Sequence, residues 1–60
     1  MKGIVQKFYK RKNYGFIVSE KKTFYFNLKD CLNYIGYKIG DTVSFDVQGD
    51  RAVHVQKIIN

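Results

Sequence analysis

A chain of 60 residues makes one domain, and at that length folding buries only about 60% of the surface the unfolded chain exposes, which argues against a large enclosed catalytic pocket. Apolar residues at 45%, ten of them Phe or Tyr, are too abundant for intrinsic disorder, while no apolar run approaches the eighteen or so residues of a membrane span. The net charge of +6 turns attention to polyanionic partners.

Single copies of the reactive residue types narrow the chemistry further. Cys31 is the lone cysteine, so no disulfide closes within the chain, and it reads as a small buried hydrophobe. His54 is the lone histidine and reads as a surface residue of a strand. With the acids scattered at Glu20, Asp30, Asp41, Asp46 and Asp50, no zinc-type ligand set assembles. No nucleophile–base pair or paired-carboxylate spacing is present, so the chain reads as a non-enzyme with no cofactor and no small-molecule substrate. Met1–Gln6 is too polar for the apolar segment of a signal peptide, and a soluble cytoplasmic protein is expected.

In chain order, Gly3 to Tyr9 reads as a first strand with Ile4, Val5 and Phe8 as its apolar members. It shows no clean alternation, so its inward face stays open. Lys10 to Asn13 is a polar connection, and Asn13 suits a position of positive φ. Tyr14 to Ser19 is the second strand: alternation puts Tyr14, Phe16 and Val18 on one face and Gly15 and Ile17 on the other, so both faces carry apolar groups. Glu20-Lys21-Lys22 is short enough for a hairpin link, and Thr23 to Leu28 is the third strand, with Phe24, Phe26 and Leu28 opposed to Tyr25 and Asn27. The second and third strands are expected to pair, burying one face and displaying Tyr14, Phe16 and Tyr25 as an exposed aromatic platform.

From Lys29 to Gly40 neither period fits. Asp30 is expected to cap a single helical turn through Asn33, followed by a loop punctuated by Gly36 and Gly40. From Asp41 a strand resumes in which Val43, Phe45 and Val47 alternate with Thr42, Ser44 and Asp46. Gln48-Gly49-Asp50 turns, and Arg51 to Ile58 gives a fifth strand with Val53 and Val55 inward. Five short strands with one longer connection predict an all-β fold, a small five-stranded antiparallel Greek-key barrel of the OB type spanning 1–60.

Charge is unevenly placed along this plan. Through Lys29 eight basic residues stand against Glu20 alone, a balance of +7; from Asp30 onward the balance is −1. Such runs are often plain solvated surface, but flanking an aromatic sheet face they favour nucleic acid.

At this point the chain resembles a cold-shock domain over nearly its whole length. Gly3-Ile4-Val5 resembles that family's opening Gly-Lys-Val. Lys12-Asn13-Tyr14-Gly15-Phe16-Ile17 is similar to its first nucleic-acid motif, Lys-Gly-Phe-Gly-Phe-Ile, and Phe24-Tyr25-Phe26-Asn27-Leu28 to the second, Val-Phe-Val-His-Phe. Gly40-Asp41-Thr42-Val43-Ser44-Phe45 and Ala52-Val53-His54-Val55 resemble the patterns of the fourth and fifth strands.

The resemblance implies a barrel that binds single-stranded RNA or DNA on strands two and three, often as an RNA chaperone; apart from it, a monomer rather than a dimer and no membrane partner are expected. It implies Tyr14, Phe16 and Tyr25 as stacking positions, Lys12 as a backbone contact, and Asn27 in the place of a His. Phe8 and Tyr9 stand beside the site, and Tyr34 stands for an aromatic of the long loop. Lys7 occupies the position of an exposed Trp and Leu28 that of an aromatic, so the platform should be smaller and more dependent on charge than the family norm. Two other readings of the same residues are a duplex-DNA or chromatin-type binder with a wedge side chain and a protein-interaction module using the aromatic face.

Overall fold

The computed structural model describes residues 1–32 and 36–58. Its strands are β1 (Lys2–Tyr9), β2 (Tyr14–Ser19), β3 (Lys22–Asn27), β4 (Thr42–Gln48) and β5 (Arg51–Lys57), with one 3-10 turn at Leu28–Asp30. They close a barrel in the order β1-β2-β3-β5-β4, with β4 returning to β1 through Lys2↔Ser44, Gly3↔Val43 and Ile4↔Thr42. Closure removes the unpaired edges that a sheet of strands this short would otherwise present.

The pattern is mixed and not antiparallel throughout. β3 meets β5 in parallel at Tyr25↔Arg51, and Cys31 bridges Val55 in parallel just beyond. The reason is connective: chain that leaves β3 passes the barrel end, forms β4 against β1, and only then returns as β5 beside β3.

The core gathers Val5, Ile17, Phe24, Phe26, Cys31, Tyr37, Val43, Phe45, Ala52 and Val55. β1 reaches it without regular alternation because the pairing with β2 slips between Val5 and Lys7: Val5 faces Ile17 and Lys7 faces Phe16. One extra residue, Gln6, is accommodated as a bulge, so Val5 and Phe8 both point inward though three positions apart. Gly15 permits this. A Cβ there would collide with the carbonyl oxygen of Lys7 and come 2.9 Å from the Phe26 ring and 3.0 Å from Phe8 Cα.

A second irregularity corrects the expectation for β5. Between Ser44 and Asp46 of β4 there is one residue, while two residues, His54 and Val55, lie between their partners Val53 and Gln56, with the exposed His54 at φ 52°. The bulge makes Ala52 and Val55 the fully buried residues, not Val53 and Val55; Val53 is half-buried. Val47, expected inward, sits beside the Gly49 turn (φ 66°) at the end of β4 and stays exposed.

The turn after β3 also starts earlier than expected. Asn27, not Asp30, is its cap: Asn27 Oδ1 accepts from Lys29 N at 3.0 Å, and Asp30 Oδ2 accepts back from Asn27 N at 3.4 Å. An Asx side chain three residues ahead of a carboxylate satisfies both ends of a capping box, which Asp30 in the first position could not do. Asn33, where that turn was expected to end, and Tyr34 lie outside the described residues.

Candidate nucleic-acid interface

Register places the outward side chains of β1, β2 and β3 in three rows. Tyr9, Tyr14 and Asn27 form the first, Lys7, Phe16 and Tyr25 the second, and Ile4, Val18 and Thr23 the third. Directly opposed residues of antiparallel strands share a face, so the rows follow from pairing alone. The first two rows hold the aromatic side chains in continuous contact. Tyr9 and Tyr14 have ring centroids 5.1 Å apart, Tyr14 and Tyr25 are 5.6 Å apart at 29°, and Phe16 meets Tyr14 and Tyr25 edge-on at 6.0 and 6.2 Å. Tyr14, Phe16 and Tyr25 are half-buried and Tyr9 is exposed. Each ring supports its neighbour, leaving a rigid surface with part of every ring open to solvent.

The turn that carries the basic cluster is tied to the same surface. Lys12 N and Asn13 N both donate to the Tyr9 carbonyl, at 3.0 and 2.9 Å, and Leu28 N donates to the Asn13 carbonyl at 2.8 Å. Asn13 takes φ 58°, the left-handed conformation that Asn tolerates better than most residues. Lys7, Lys10, Arg11 and Lys12 are all exposed at this end. Among the described residues, ion pairs join Arg51 to Asp30 at 2.5 Å and Lys57 to Asp41 at 3.0 Å, and His54 Nδ1 lies 3.1 Å from Asp46. The four cations of the cluster are in none of these.

Of the residues singled out in the sequence, Lys7, Tyr9, Tyr14, Phe16, Tyr25 and Asn27 therefore share one face, and Lys12 borders it. Phe8 lies on the other face of β1, half-buried with its ring 5.9 Å from both Phe26 and Tyr37. Tyr34 lies outside the described residues. Asn27 is largely occupied by the fold: besides capping the turn, its Nδ2 donates to Tyr25 Oη at 3.3 Å. That bond fixes the Tyr25 hydroxyl at the edge of the platform.

Arg51 is the residue the sequence did not mark. Its guanidinium carbon lies 5.7 Å from the centroid of the Tyr25 ring, within cation–π range, while Asp30 holds the same group. Only the parallel β3–β5 pairing brings residues 26 positions apart together, and no local pattern announces it.

Away from this face, the loop after residue 35 is pinned beneath the barrel. Tyr37 is buried, Lys57 Nζ lies 5.5 Å from its ring centroid and donates to the Gly36 carbonyl at 2.7 Å, and Lys38 N donates to Asp41 Oδ2 at 2.8 Å. The Lys38 amide and the Lys57 ammonium hold the Asp41 carboxyl below the usual carboxylate range. Burial pushes the Cys31 thiol and the Tyr37 hydroxyl up. Cys31 thus stays a protonated core residue rather than a thiolate. Among the described residues no three His, Cys, Asp or Glu side chains group as a metal site requires, and no helix is long and apolar enough to cross a membrane.

No protein-family model and no curated protein matches the chain.

Proposed function

We propose that this chain is an OB-type, Greek-key barrel of cold-shock character that binds single-stranded RNA or DNA on the outward face of β1–β3. The observation that carries the reading is the contiguous Tyr9-Tyr14-Tyr25-Phe16 surface, with Lys7 in its second row and the Lys10–Lys12 cations at its border. A single strand offers the π-face of every base, so rings on a rigid sheet stack successive bases with little regard to sequence. The cations supply attraction for the phosphates and release counterions on binding. Trapping open strands in this way would let the protein act as an RNA chaperone in the cytoplasm, as a monomer. Phe8 supports the platform from the core side, and Asn27 orients Tyr25.

Lys7 and Leu28 stand where the resembled family is aromatic, so charge carries a larger part of the affinity. With about five phosphates neutralised, log K falls with log salt at a slope of about −3.5. Titration of a pyrimidine-rich heptamer across salt, with duplex DNA as competitor, tests the proposal. A slope near zero, or a preference for duplex, contradicts it.

A further inference from the structure

The outward face does not end with the aromatic rows. On β2, Val18 follows Phe16 on the same side, about 7 Å further along the strand. It is paired with Ile4 of β1 and with Thr23 of β3. Ile4 is 52% exposed and Ile39 is 74% exposed, which is unusual for residues of this type that neighbour a complete core. Ile4, Val18 and Ile39, with Val5, Gln6 and Gly40, line one shallow groove. Its far wall is fixed: Gly40 N donates to the Val5 carbonyl at 2.9 Å, and Val5 N donates to the Asp41 carbonyl at 2.9 Å. The turn bearing Ile39 is therefore bonded to β1 as an additional strand would be.

Charge around the groove selects its occupant. Lys7 follows it on β1 and Lys38 adjoins Ile39, both exposed. Asp41, next to Gly40 of the groove, is paired with Lys57 at 3.0 Å. Glu20 lines the adjoining hollow with Ile4 and Val18, and Lys21 and Lys22 follow it in the chain and offset its charge. A second copy of the chain would bring six further positive charges to this surface. Three aliphatic side chains are also far short of the roughly 800 Å² per partner of a stable protein interface. An anionic polymer with apolar bases meets both conditions.

Resting on the reading of the aromatic face as a single-strand surface, we propose that the Ile4–Val18–Ile39 groove takes one further base of the bound strand, next to the base on Phe16. The base is held by apolar contact and not by ring stacking, with the Gln6 amide at the rim for its polar edge. Aliphatic contact favours a methylated base edge, so thymine is preferred over uracil at this one position.

The test is a length series of single-stranded oligothymidines, extended separately at the 5′ and 3′ ends, titrated with wild type and with Ile4→Thr/Ile39→Ser. Neither residue belongs to the buried core, and Thr suits the strand position. For wild type, one nucleotide added at one of the two ends should raise affinity about fivefold. The gain should vanish when that nucleotide is abasic, shrink with deoxyuridine, and be absent in the variant, while the shorter oligonucleotides bind both proteins equally. A gain that survives in the variant, or with the abasic nucleotide, overturns the groove and leaves the aromatic face intact. No binding of any oligonucleotide overturns both, and a wild-type dimer that the variant dissolves assigns the groove to a second copy instead.

Discussion

The two halves of the barrel contribute alike to its inside and unlike to its outside. Val5, Ile17, Phe24 and Phe26 from β1–β3 meet Val43, Phe45, Ala52 and Val55 from β4 and β5, and all are buried. Outward, the first half presents Tyr9, Tyr14, Phe16 and Tyr25, whereas β4 and β5 present Thr42, Asp46, His54 and Gln56. Closing the barrel requires only the inner set. The polar outer face of β4–β5 shows that aromatic side chains are not needed on the outside, so those on β1–β3 answer to something other than folding.

Substitutions in the two layers sharpen that contrast. Phe26→Ala and Phe45→Ala should each cost about 3–5 kcal/mol. Against a total stability of roughly 3–9 kcal/mol for 60 residues, each leaves the domain largely unfolded, as thermal melts followed by circular dichroism would show. A folded Phe45→Ala protein beside an unfolded Phe26→Ala protein would break the claim that the halves share one core. In the outer layer, Phe16→Ala and Tyr25→Ala should each weaken single-strand binding by about 1–3 kcal/mol and leave a folded domain. Gln56→Ala on the other half should leave affinity unchanged in the same titration.

Smaller effects test the joints. Glu20 and Lys21 take φ 51° and 67° in the two-residue turn between β2 and β3, where Asn-Gly is the favoured pair. Glu20→Asn/Lys21→Gly should therefore stabilise the fold by about 1 kcal/mol in denaturant titration, without altering binding. In the other half, Asp41 has a folded-state pKa below its unfolded value near 3.9. Its contribution is present above the unfolded pKa and is lost as pH falls through the folded one. Wild type should melt above Asp41→Asn at pH 5–7, and the two melting temperatures should converge below about pH 4.

How far the sequence reads correctly depends on which residues act locally. Alternation is unbroken in Tyr14–Ser19 and from Thr23 to Asn27, so Ile17, Phe24 and Phe26 were legible as core and Tyr14, Phe16 and Tyr25 as an outward set. Asn13 announced its left-handed turn by residue type. β1 and β5 were harder, because a bulge at Gln6 and another at His54 each shift the inward face by one residue, and neither Gln nor His signals such a shift. The segment from Gly36 to Asp41 carries no period because it is held piecemeal, by Lys57 on Gly36 and Asp41 and by burial of Tyr37. Arg51 reaches Tyr25 only through the parallel pairing of β3 with β5, a long-range consequence of closure.

The most direct measurement is fluorescence titration of a pyrimidine-rich single-stranded heptamer with wild type and with Phe16→Ala/Tyr25→Ala, each checked for folding by circular dichroism. An aromatic face that stacks bases predicts a loss of about 30-fold or more in affinity for a variant that remains folded. Equal affinity of the two folded proteins would contradict it.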